Sequence, residues 1–118
     1  MHLPRPWQTL ALLTSLFTAQ AADSPVIAPG AKPEKAGSGF VFTEGPSADK
    51  EGNVYFTDQP NDRIVKWSVK DNACTDWMKP SGRANGTAFD KDGNLLACAD
   101  EKNELWSISP DKKSKVLI

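Results

Sequence analysis

The sequence predicts an all-β chain built on a repeated four-stranded unit, and three observations carry that expectation. From Phe40 onward, short runs rich in Val, Tyr, Phe, Thr and Trp alternate with Gly, Asn and Asp turns. No sustained helical periodicity occurs between residues 40 and 118. The chain also resembles itself when shifted by 41 positions.

The elements follow in order. Residues 1–21, MHLPRPWQTLALLTSLFTAQA, have the layout of a secretory signal peptide: Arg5 in the n-region, an apolar run from Thr9 to Ala19, and Ala19-Gln20-Ala21 as the cleavage site. The apolar run is too short to span a bilayer, which needs roughly 20 residues. A secreted or periplasmic protein starting at Ala22 is therefore expected, with no membrane association after cleavage. Residues 22–39 form a Pro/Gly/Ala-rich leader; Pro25, Pro29 and Pro33 make it a poor helix and a poor strand. The β-rich part, residues 40–118, opens with Phe40-Val41-Phe42 as a short run before a loop. Asn53–Asp58 reads as a strong strand. Arg63–Val69 alternates, with Ile64, Lys66 and Ser68 on one face and Val65, Trp67 and Val69 on the other. Cys74–Met78 is a weaker fourth run.

The repeat then restarts. Gly45-Pro-Ser-Ala-Asp49-Lys50-Glu51-Gly52-Asn53 falls on Gly86-Thr-Ala-Phe-Asp90-Lys91-Asp92-Gly93-Asn94, with five of nine residues identical. Val54 meets Leu95, Ile64 meets Leu105 and Ser68 meets Ser109, so the apolar pattern recurs too. A four-stranded repeat of this length has the size of one β-propeller blade. Residues 40–118 hold just under two such blades, which predicts part of a larger propeller. A small two-sheet β-domain is the alternative.

Composition narrows the function. Lys+Arg number 14 and Asp+Glu 15, a net charge of −1, which argues against a nucleic-acid or polybasic membrane-surface binder. Basic residues do not flank Trp67, Trp77 and Trp106 in excess, and the three read as packing between blades. The single histidine, His2, rules out a His-cluster metal site or a His-based triad. Cys74 and Cys98 are too few for a disulfide scaffold; a bond between them and two small buried side chains both remain open.

The same 41-residue shift places Glu44 on Asn85, each just before the glycine that opens its repeat. In a propeller such positions lie at the start of the innermost strands and face the axial channel. A carboxylate and an amide oxygen there are hard ligands, suited to Ca²⁺ or another divalent cation. As isolated residues, Glu44 before Gly-Pro and Asn85 before Gly also read as loop and turn positions. Asp90-Lys-Asp92-Gly93-Asn94 superficially resembles a Ca²⁺ loop, with Glu101 at position twelve. Its glycine stands at position four instead of six and Leu-Leu-Ala-Cys-Ala follows, so it reads as a hairpin turn. Asp58, which closes the run Asn53–Asp58, reads as a turn-capping residue, with an approach to the channel as the alternative.

The blocks F-T-E-G-P, N-V-Y-F-T-D, N-D-R-I-V-K-W and S-G-R-A-N-G-T-A-F-D-x-D-G-N-L-L-A-C resemble the regucalcin/gluconolactonase family of senescence-marker-protein type, over about Phe42 to Cys98. The resemblance implies a six-bladed propeller, of which this sequence covers about the first third, and a divalent-metal-dependent lactone hydrolase acting on a sugar lactone. It assigns Glu44 as a metal ligand, Asn85 as a metal or substrate contact, and Arg83 as a substrate contact. The cation it implies is Ca²⁺ first, with Zn²⁺ or Mg²⁺ as alternatives. The family's general base and its remaining ligands come from later blades, so no catalytic base is expected here. A non-catalytic propeller that binds a ligand, and an inactive fragment, are the competing readings.

Overall fold

The computed structural model describes residues 26–118; the signal segment 1–21 lies outside them. The chain divides into two compact units, Met1–Pro33 and Glu34–Ile118. In the first, the described residues form a turn in which the Ala31 N–H donates to the Ala28 carbonyl at 3.0 Å. The second holds every strand found among the described residues. No helix among the described residues is long and apolar enough to cross a membrane.

Eight strands make two four-stranded antiparallel sheets in simple meander order. The first sheet contains β1 (Thr43–Ala48), β2 (Val54–Asp58), β3 (Arg63–Ser68) and β4 (Ala73–Met78). The second contains β5 (Ala84–Phe89), β6 (Leu95–Ala99), β7 (Glu104–Ile108) and β8 (Ser114–Val116). Register repeats with the sequence: Val54 pairs with Trp67, and 41 residues on Leu95 pairs with Ile108. Two single-turn 3-10 helices, Gln59–Asn61 and Asp100–Lys102, stand at equivalent places. Each ends on a left-handed residue, Asp62 at φ 52° and Asn103 at φ 56°. Sequence periodicity does not reveal turns this short.

The expected hairpin turns are present, built twice from the same bonds. In the first, Asp49 Oδ1 accepts the N–H groups of Glu51 and Asn53, and Oδ2 accepts the Asn53 amide. In the second, Asp90 does the same for Asp92 and Asn94. Both carboxylates are thereby committed to the turn, which makes the Asp90 segment a hairpin and not a cation loop.

Phe40–Phe42, expected as a short β-run, is not a strand; β1 starts at Thr43. The physical reason is Asp58. Its Oδ1 accepts the N–H groups of Val41 at 3.1 Å and Phe42 at 3.2 Å, so these donors meet a carboxylate and not a neighbouring strand. Phe40 lies edge-on to Phe56, with ring centroids 5.2 Å apart, and the Arg63 guanidinium sits over its face.

The core lies where the two sheets face each other. Tyr55 and Ile64 of the first sheet pack with Ala84, Leu95, Ala97 and Ile108 of the second. Burial of a Leu or Ile side chain of this kind stabilises by about 1.5–3 kcal/mol. Trp77 and Trp106 pack against this cluster. Trp67 lines the other face of the first sheet with Val54, Phe56 and Cys74, so it is not part of the packing between the two sheets. Cys74 and Cys98 are free thiols.

Candidate functional site

The sheets meet most closely along their first strands, β1 and β5. Each carries a bulge within one residue of the same point of the repeat, between Glu44 and Ser47 in one and between Ala84 and Thr87 in the other. The bulges contain Gly45 and Gly86. Gly45 is left-handed, at φ 60°, and a Cβ there would lie 2.4 Å from the Asn85 carbonyl oxygen and 2.9 Å from the Gly86 Cα. Only glycine lets the backbones approach this closely.

Two threonines pin this junction. The fully buried Thr57 hydroxyl lies 3.1 Å from the Glu44 carbonyl oxygen and 2.9 Å from the Asn85 carbonyl oxygen, its one proton shared between the two acceptors. The Thr87 hydroxyl donates back across the gap to the Gly45 carbonyl. Glu44 and Asn85, each the second residue of its sheet's first strand, are thus tied together through their main chains. Both are half-buried. The Asn85 Oδ1 is buried and has no hydrogen-bond partner among the described residues. A buried acceptor left in that state costs about 1–3 kcal/mol, a cost that functional sites bear.

Arg83 is exposed and left-handed, at φ 53°. Its guanidinium makes no hydrogen bond among the described residues, while its N–H donates to Asp62 Oδ1 at 2.7 Å. The same oxygen accepts the Ser81 N–H at 2.9 Å and the Ser81 hydroxyl at 3.1 Å. Burial pushes the Asp62 carboxyl up, but the donors from Arg83 and Ser81 outweigh it and hold it below its ordinary value.

Asp58, expected as a turn cap, is fully buried and makes no side-chain cap to the 3-10 turn it precedes. Its Oδ2 accepts Arg63 Nε at 3.0 Å, Arg63 Nη2 at 2.8 Å and the Asn61 amide at 2.8 Å. Burial alone would raise its pKa. The hydrogen bonds from Asn61, Arg63, Val41 and Phe42 instead bring it down to about 2. Arg63 also reaches Asp76 and the Gly39 carbonyl. All of Asp58's acceptor capacity is spent on the fold, so it is a structural anchor.

Among the described residues no group of three His, Cys, Asp or Glu side chains is arranged to hold a metal. The donors fit a hard cation on chemistry: the Glu44 carboxylate and the unbonded Asn85 Oδ1 are both oxygen ligands. Thr57, Asp62 and Ser81 were not singled out by sequence. The available signal is the repeat itself, which pairs Asp62 with Asn103, two residue types that tolerate left-handed backbone.

Two consecutive four-stranded meanders with matched bulges on adjoining first strands define β-propeller blades. Solved structures place the chain further. A proposed gluconolactonase matches with 30% identity and a TM-score of 0.68, over 75% of this chain and 31% of its own. A gluconolactonase from Xanthomonas campestris, of glucose secondary metabolism, matches with 19% identity and a TM-score of 0.62, over 67% of this chain and 27% of its own. Virginiamycin B lyase from Staphylococcus aureus shares the fold with 17% identity and a TM-score of 0.53, over 63% of this chain and 26% of its own. The chain thus spans about a third or less of these neighbours' length. No protein-family model matches it, and neither does any curated protein. The resemblance read in the sequence is borne out in the fold: the chain is similar to two blades of these gluconolactonase structures.

Proposed function

We propose that this chain contributes two blades to a divalent-metal-dependent hydrolase of sugar lactones. One observation carries the reading: the repeat-related residues Glu44 and Asn85 are held side by side by Thr57, and the Asn85 Oδ1 is buried without a partner. Glu44 and Asn85 would hold the cation, Ca²⁺ before Zn²⁺ or Mg²⁺. Bound there, it supplies Lewis-acid polarisation of a lactone carbonyl. Glu44 brings the negative charge that favours a divalent ion over water-borne monovalent competitors. The Asn85 amide also orients a sugar hydroxyl. Arg83 offers a fork of N–H donors to the ring substituents and fixes the substrate's direction. The signal-like segment 1–21 supports export to a secreted or periplasmic location, where extracellular Ca²⁺ levels suit such a site.

The test is Ca²⁺ titration calorimetry together with hydrolysis of glucono-δ-lactone by the full protein. Glu44→Gln keeps the shape and removes the charge. It should lower metal affinity by about a hundredfold and remove activity at ordinary Ca²⁺ concentrations. Equal metal binding and equal turnover in Glu44→Gln and the parent would falsify the assignment.

A further inference from the structure

The loop from Ser81 to Arg83 leads into β5 and carries two successive left-handed residues, Gly82 at φ 65° and Arg83 at φ 53°. Glycine adopts that backbone freely. An arginine does so against the crowding of its Cβ with the following carbonyl. A strained non-glycine residue persists where its surroundings over-determine it, and such residues gather at functional positions.

Here a single oxygen does the holding. Asp62 Oδ1 accepts the N–H groups of Ser81 and Arg83, two residues apart, and also the Ser81 hydroxyl. Main-chain N–H groups turned toward one anionic oxygen form a backbone concavity of the kind that binds anions. The Ser81 hydroxyl oxygen in turn accepts the Ala84 N–H at 3.4 Å, so the chain of bonds reaches the first residue of β5, next to Asn85. Ser81 is fully buried. Asp62 belongs to the turn between β2 and β3, so the first sheet shapes the loop that introduces the second.

Asn103, the partner of Asp62 at the 41-residue shift, shares its left-handed backbone at φ 56°. The left-handed turn is common to both blades, with a carboxylate at Asp62 and an amide at Asn103.

We propose that Asp62 is a positioning residue: it fixes the backbone of Arg83, and with it the direction in which the guanidinium meets a sugar lactone. The inference rests on the lactonase reading and adds to it a residue that touches neither metal nor substrate. A free loop would let Arg83 leave the left-handed region and spend binding energy on reordering, which weakens substrate binding more than it slows the reaction.

The experiment uses the full protein with glucono-δ-lactone and Ca²⁺, and amide hydrogen exchange without substrate. Asp62→Ala should raise KM about tenfold with kcat changed less than about twofold. Asp62→Asn keeps the acceptor oxygen and should restore most of the loss. In an Arg83→Ala background, Asp62→Ala should change KM by less than about twofold, because the two act through one contact. The Arg83 amide should exchange about tenfold faster in Asp62→Ala, with protection of Ile64 and Leu95 unchanged. An equal KM rise in both backgrounds, or unaltered Arg83 exchange, overturns the proposal. A parent protein that does not hydrolyse the lactone overturns the lactonase reading instead. Exchange then decides alone: faster exchange confined to residues 81–85 upholds the positioning role, and unchanged exchange overturns it.

Discussion

Gly45 approaches Asn85 so closely that an added Cβ would sit 2.4 Å from the Asn85 carbonyl oxygen. The neighbour is backbone, so it cannot swing aside as a flexible side chain would. Gly45→Ala should cost about 3 kcal/mol, combining the clash with a left-handed alanine. Gly93 is also left-handed, at φ 84°, but has nothing within 4 Å. Gly93→Ala should therefore cost only about 1 kcal/mol, the backbone term alone. Urea denaturation of both variants separates the two contributions, and equal midpoints would sink the close-contact account.

Acid stability should carry the mark of Asp58. Its carboxyl is held down to about 2 from an ordinary 3.8, so the stability it contributes is fully present above the higher value and is lost as pH falls through about 2. Chemical denaturation between about pH 5 and about pH 2 should show a fall in midpoint. Asp58→Asn should flatten that fall and cost about 3 kcal/mol at neutral pH, because Arg63 loses its buried counter-charge. A variant that keeps the parent's acid profile would assign the fall to other carboxylates.

Thr57→Val tests the junction without changing its shape. The hydroxyl's one proton is shared between the carbonyls of Glu44 and Asn85, and that shared bond is lost when it goes. The expected cost is about 1–2 kcal/mol of stability. Metal affinity should also weaken, because the two strand starts are no longer tied. Loss of stability with unaltered Ca²⁺ titration would restrict Thr57 to a packing role.

Export is the fourth expectation. Mass spectrometry of the mature protein should find its N-terminus at Ala22. Intact Met1 on cytoplasmic protein would contradict the signal-peptide reading.

The legibility of the fold follows the range of the interactions. The two hairpins were legible because Asp49 and Asn53, like Asp90 and Asn94, bond within five residues, and their types announce the turn. The strand Asn53–Asp58 was legible because its residues suit a pleated surface, and β2 differs from it by one residue. Phe40–Phe42 misled because the donors of Val41 and Phe42 are claimed by a carboxylate 16 and 17 residues away. Asp62 was invisible for the same reason: its partners lie 19 and 21 residues on. The pairing of Glu44 with Asn85 could be read from the repeat, but not the hydroxyl that joins them. Thr57 stands in the strand as an unremarkable β-former, and only the fold brings it to Asn85, 28 residues later.

The duplicated aspartate turn makes the molecule a paired experiment on itself. Asp49 and Asp90 make the same set of local bonds, so Asp49→Ala and Asp90→Ala remove identical interactions from two places in one chain. Whatever differs between the two variants is owed to surroundings alone. The surroundings do differ: Lys66 Nζ stands 4.0 Å from Asp49 Oδ2, and no cation pairs with Asp90 among the described residues. Subtracting one loss from the other therefore measures what the surroundings add at Asp49, the Lys66 contact among them, with the turn's own contribution cancelling and no second protein required as reference.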